Sequence, residues 1–149
     1  MNCSIILLLI ILLSFQIQGN NTKDSLRNVL NNAENEQDRL AILNQLAAQY
    51  REDSTQVAKK YAGEAVLIAK KNNNTEELIK AYNNLSFPFY FTGDYQKALY
   101  YNSKALNLLK NTDNKTLVLE TWFKRGIYKL KLAEYQKAIY YFKETIRLA

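Results

Sequence analysis

The stretch GDYQKALYY, residues 93–101, is written again forty residues later as AEYQKAIYY, residues 133–141. Tyr95, Gln96, Lys97 and Ala98 return as Tyr135, Gln136, Lys137 and Ala138. Other positions keep nearly the same step. Ala58, Ala98 and Ala138 form one series, and Ala65, Ala105 and Thr145 another. Leu46, Leu85 and Arg125 occupy equivalent places, as do Tyr50, Phe89 and Lys129. A unit that returns at a fixed period folds the same way each time and stacks on its neighbours. The repeated motif therefore reads as the seam of a repeating structure, not as an active site used twice.

Within each unit the apolar residues recur at spacings of three and four, the period of a helix with one buried face. Leu26, Val29, Leu30 and Ala33 form a short first stripe. Leu40, Leu43, Leu46, Ala47 and Tyr50 form the second, and Val57, Ala58, Tyr61, Ala65, Ile68 and Ala69 the third. Leu78, Tyr82, Leu85 and Phe89 lead to a fifth stripe through Tyr95, Ala98, Leu99, Ala105, Leu106 and Leu109. A broadly apolar sixth stripe spans Leu117 to Leu132, and the last runs through Tyr135, Ala138, Ile139, Phe142 and Ile146. REDST (51–55) and TGD (92–94) read as turns inside pairs, KNNNT (71–75) and KNTDNKT (110–116) as connectors between pairs. Thr75 and Asp94 read as helix starts. The expected fold is all-α: one leading helix within residues 20–37, then three antiparallel pairs over about 38–71, 75–110 and 116–149.

Helix pairs at this period resemble tetratricopeptide repeats, whose pattern places a large residue, a Leu, a small residue, an aromatic and then an Ala at set intervals. The second unit supplies Tyr82, Leu85, Ser86, Phe89 and Ala98, with Gly93-Asp94-Tyr95 at its turn. The third supplies Trp122, Gly126, Ala138 and Phe142, and the first Leu43, Leu46, Ala47, Tyr50 and Ala58, followed by Ala65. Ala98 with Ser86, and Ala138 with Gly126, are the small residues expected where helices cross closely, with Tyr and Leu filling the space beside them, and Ala105 is a further expected packing position. The departures are Asn102 in place of an aromatic, Arg125 and Lys129 at apolar positions, no terminal Pro, and a unit about six residues longer than the usual 34. The resemblance implies a right-handed superhelical solenoid that binds a protein or peptide in its concave face and performs no catalysis. With its exported leader and Asn-, Lys- and Tyr-rich composition, the chain also resembles the extracytoplasmic sensor arrays of Bacteroidetes-type signalling proteins. This implies the sensory or scaffolding part of an envelope signalling protein, or alternatively a free-standing envelope adaptor.

Carried over position by position, the concave groove would hold Asn44, Ala48, Lys80, Asn83, Phe87, Tyr90, Phe91, Phe123, Lys124 and Ile127. Asn and Lys there would hold a peptide backbone or carboxylate, and the rings apolar side chains. SFPFYFTG (86–93) is the least ordinary stretch. Pro88 removes the helical bond to the Asn84 carbonyl, which costs about 3 kcal/mol when uncompensated, so a bend with crowded rings is expected there. Phe89 matches a packing position. Tyr100, Tyr140 and Tyr141 read as amphipathic surface residues.

Composition narrows the chemistry. The 149 residues contain no His, and Cys3 is the lone Cys. The commonest general base and neutral metal ligand is missing, and once a leader is removed no thiol remains. Four Gly form no phosphate-cradling loop. No cofactor, metal or small-molecule substrate is expected. The net charge of +6 comes from residues 94–149, which hold eleven cations and five anions. This reads as a Lys-rich solvated surface.

At the other end, Ile5 to Leu13 is an unbroken apolar run extended by Phe15 and Ile17. It falls short of the about 20 residues of a membrane span and reads as a signal peptide over residues 1–19, cut near Gly19. The alternative is an uncleaved N-terminal anchor. Export makes nucleic acid an unexpected partner and places the chain in the periplasm or envelope. The sequons at Asn20, Asn73, Asn84 and Asn114 are discounted in an Asn-rich chain. Residues 135–149 end on the apolar face of Ile139, Phe142 and Ile146. That face is expected to continue into further repeats or to mediate self-association.

Overall fold

A computed structural model describes residues 22–149; the leader assigned to residues 1–19 lies outside them. All regular structure among the described residues is helical. Helix α1 covers 22–31. It is followed by α2 (Glu36–Tyr50), α3 (Thr55–Lys71), α4 (Thr75–Phe91), α5 (Tyr95–Leu108), α6 (Lys115–Lys131) and α7 (Tyr135–Leu148), with a 3-10 turn at Leu109–Asn111 before α6. The leading helix and the three pairs fall where the apolar stripes place them.

Local chemistry sets the starts. The side chains of Asn35, Asn74 and Asn114 accept from the backbone amides of Asp38, Glu77 and Leu117, so each first helix of a pair opens on an asparagine cap. Asp94 caps α5 in the same way, through the Lys97 amide. Two of these caps also tie units together. Asn74 Nδ2 donates to Gln37 Oε1 at 3.2 Å, and Asn114 Nδ2 to Glu76 Oε2 at 3.0 Å.

Packing sets the shape. Helices α2–α3, α4–α5 and α6–α7 pair closely, and each second helix packs on the first helix of the next pair. The first helices also touch one another, α2 on α4 and α4 on α6, whereas the second helices make no comparable contact. The first helices therefore line the inner side of the curve. The main core gathers Leu40, Leu43, Leu46, Tyr50, Ala58, Ala65, Ile79, Ala81, Tyr82, Ala105 and Leu117, with Leu85 against its edge. A second core forms around Ala98, Leu99 and Tyr128. Ser86 and Gly126 are buried as expected. An added Cβ at Gly126 would come within 2.5 Å of Phe142 Cε1, so the glycine makes room for that ring. Ala138 is buried, and Trp122 packs against both Tyr140 and Tyr141, which also touch each other.

The expected departures find partners. Pro88 is fully buried, and α4 runs through it to Phe91. The Pro88 carbonyl accepts from both the Thr92 amide and the Thr92 hydroxyl. Phe89 stacks on Tyr101 with ring centroids 5.3 Å apart, and Lys59 Nζ lies 4.3 Å above its ring. Arg125 and Lys129 do not break the packing. Arg125 reaches Asn102, Ser103 and Tyr141, and Lys129 donates to Glu134 at 2.8 Å. Tyr100 and Tyr140 are exposed, but Tyr141 is half-buried and accepts from Arg125.

Candidate partner-binding groove

The inner faces of α2, α4 and α6 enclose an open depression of about 380 Å³. Three positions named from the sequence pattern, Asn44, Ala48 and Lys80, line it. Asn84, Glu77, Glu120 and Arg51 line it as well, and these were not singled out from sequence. A signal for three of them exists. Glu77 and Asn84 lie three and four residues from Lys80, and Glu120 lies four before Lys124, so each shares a helix face with a named position.

The polar residues of this depression are largely engaged with one another. Asn44 Nδ2 donates to the Glu77 backbone carbonyl at 3.1 Å and to Glu77 Oε2 at 2.7 Å. Asn84 Nδ2 donates to the Asn44 carbonyl at 3.0 Å. Lys80 Nζ pairs with Glu77 Oε1 at 2.6 Å. Lys124 Nζ pairs with Glu120 Oε1 at 2.7 Å, and the Lys124 side chain is largely buried.

Asn83 does not face the groove. It is fully buried, and its Nδ2 donates to Thr121 Oγ1 at 2.7 Å across α4 and α6. Among the described residues, its Oδ1 has no hydrogen-bond partner. Thr121 passes its own proton to the Leu117 carbonyl, and Asn102 donates to the Thr121 carbonyl. Tyr90 and Ile127 are also packing residues, set against the core of Ala98, Leu99 and Tyr128. Tyr128 was not singled out from sequence. Its hydroxyl lies 2.8 Å from Ser86 Oγ, and Ser86 spends its proton on the Asn83 carbonyl, so Tyr128 is the donor. Burial pushes the Tyr128 phenol well above its ordinary pKa.

The aromatic residues gather beyond one end of the depression. Phe87 is half-buried, with ring centroids 5.6 Å from Tyr90 and 5.8 Å from Phe91. Phe91 is 53% exposed. The Arg51 guanidinium lies 5.1 Å from the Phe87 centroid and Lys124 Nζ 5.8 Å from it. Arg51 thus belongs both to the depression and to the aromatic cluster. Phe123 is 50% exposed but sits apart from this cluster, against Phe142 at 5.7 Å. Among the described residues, no group of His, Cys, Asp or Glu is placed to hold a metal ion. No helix there is long and apolar enough to cross a membrane.

Comparison with known proteins agrees with this architecture. Residues 77–149 match the sequence model of the tetratricopeptide repeat. No curated protein matches the chain in sequence. Among solved structures, the chain is similar to the tetratricopeptide domain of Arabidopsis FLU, with 18% identity and a TM-score of 0.68, over 76% of this chain and 96% of that one. It is also similar to aspartyl phosphate phosphatase F from Bacillus subtilis, with 19% identity and a TM-score of 0.75, over 88% of this chain. The likeness covers 38% of the phosphatase. At these identities the neighbours speak for the fold. The described chain has the fold of a tetratricopeptide-repeat array, and residues 77–149 carry the sequence pattern of that family.

Proposed function

We propose that this chain is a non-catalytic interaction module that holds a protein or peptide partner along the inner faces of α2, α4 and α6. One observation carries the reading: large apolar rings, Phe91 foremost, stand exposed on an inner helix of a fold whose curvature presents that face. Exposed rings beside a shaped depression are the usual material of a partner hot spot. The leader-like residues 1–19 support export to the periplasm or envelope. In that setting the array would serve as the sensory or scaffolding part of a signalling protein, with a free-standing envelope adaptor as the alternative. A kinase or DNA-binding domain in the same reading frame would favour the signalling role.

Residues 135–149 supply a second surface. Tyr135, Ile139 and Ile146 are exposed along α7, which supports self-association through that face. The groove is tested by capture from envelope extracts. Partners retained by the wild-type chain should be lost with Phe87→Ala and Phe91→Ala together, while circular dichroism stays nearly unchanged. Loss of helicity would place those rings in the core and remove the support for the reading.

A further inference from the structure

The groove reading leaves open which side chains select the partner. On that reading, we infer that selection falls to the aromatic–arginine end of the groove, formed by Arg51, Phe87 and Phe91, and that its ligand is a peptide segment pairing a large apolar side chain with an adjacent carboxylate. The polar middle of the groove is closed upon itself. Asn44 spends both amide hydrogens on Glu77, and Asn84 donates to Asn44. Lys80 and Lys124 each hold a carboxylate at 2.6 and 2.7 Å. A ligand carboxylate arriving at either lysine must displace an ion pair the protein has already formed.

The far end differs. Phe91 offers an exposed ring, and Phe87 stands half-buried beside it. The Arg51 side chain is 44% exposed. Its nearest carboxylate is that of its sequence neighbour Glu52, at 3.4 Å from Nε, on a side chain that is 61% exposed. A guanidinium held over a ring still presents its edge N–H groups to an incoming oxygen pair. The rings strip water from one side of that contact and strengthen it. Apolar contact and charge are therefore both supplied within one small patch, and a ligand must bring both to gain from it.

The test is selection of a random twelve-residue phage-displayed library on the full chain. Enriched peptides are expected to place Phe, Tyr, Leu or Ile next to Asp or Glu. A synthetic copy of the leading peptide should bind about tenfold more weakly to Arg51→Glu and to Phe91→Ala. Both side chains are exposed enough that folding should survive, which circular dichroism checks. Binding to Lys80→Ala should change less than about twofold. Peptides without the acidic–apolar pair, or peptides sensitive to Lys80→Ala but not to Phe91→Ala, would overturn this inference and leave the groove standing. Peptides indifferent to every groove variant, or no enrichment at all, would remove both.

Discussion

Arg125 Nη1 lies 3.3 Å from Asn102 Oδ1 and joins two residues that each depart from the repeat pattern. Asn102 is fully buried at a position where an aromatic is expected, and it also donates to the Thr121 carbonyl at 3.0 Å. Arg125 stands where an apolar residue is expected and makes further bonds to Ser103 Oγ at 2.9 Å and Tyr141 at 2.9 Å. Two irregularities in sequence thus form one polar seam between α5 and α6.

The seam is expected to show coupling. Arg125→Leu alone strands the Oδ1 of the buried Asn102 and should cost about 1–3 kcal/mol. Asn102→Leu alone should fall in a similar range. The double variant should cost less than the two single changes added, by about 1 kcal/mol or more. Urea denaturation of the four proteins measures this. Strict additivity would mean that the contact contributes nothing.

A second prediction concerns the turn between α6 and α7. Gly93 in the equivalent turn of the preceding unit has φ +80°, a conformation that costs glycine little. Ala133 occupies the matching place with φ +58°. For a residue with a Cβ this region costs roughly 1–2 kcal/mol, partly offset by glycine's greater freedom in the unfolded chain. Ala133→Gly should therefore stabilise the protein by about 0.5–1 kcal/mol, seen as a raised denaturation midpoint with an unchanged slope. A lowered midpoint would contradict the argument.

These two sites show what the sequence discloses and what it withholds. Helix positions, the Asp94 cap and the close fit at Gly126 follow from local spacing and residue size, so they are legible. The aromatic crowding around Phe87 is legible for the same reason. Asn44, Asn83 and Lys124 are harder. A polar residue on a helix face invites the reading that it meets solvent or a ligand. Its real partner stands on another helix, as Thr121 does for Asn83 across 38 residues. Lys124 is hidden by a different route: its partner Glu120 is one helical turn away, but burial against Phe87 comes from α4. Spacing on one helix carries no information about which neighbouring helix supplies that cover.

A third prediction follows from Glu134. Lys129 Nζ and Lys137 Nζ donate to its two oxygens at 2.8 and 2.6 Å and hold its pKa down from 4.5 to about 2. A carboxylate with a depressed folded-state pKa adds stability above its unfolded-state pKa and loses it as pH falls through the folded value. The Glu134 contribution is thus present at neutral pH and should fade from about pH 4.5 down to about 2. Glu134→Gln should lower stability at pH 7 and flatten the acid limb relative to wild type. Denaturation midpoints at pH 7, 4.5, 3 and 2 test the sign, and equal shifts at every pH would exclude it. Salt should shrink the Lys137 share of the difference, because that side chain is 66% exposed, and the share of the more buried Lys129 less.

The last prediction concerns the outer face of α7. Leu99 on α5 is 8% exposed and packs with Tyr128 of α6. Ile139 is its counterpart one repeat later and is 46% exposed, and Ile146 is 76% exposed. Fully burying one such side chain is worth about 1.5–3 kcal/mol, so two of them, with Tyr135 beside them, provide a drive for association. Single copies should therefore give way to larger species as concentration rises. Ile146→Lys paired with Ile139→Glu should hold the chain monomeric, because each change exposes a charge where contact would otherwise be dry, and neither touches the fully buried packing. Sedimentation velocity across a hundredfold concentration range reads the outcome. A wild-type profile that stays monomeric throughout would count against association through this face, and association that survives both substitutions would place it elsewhere.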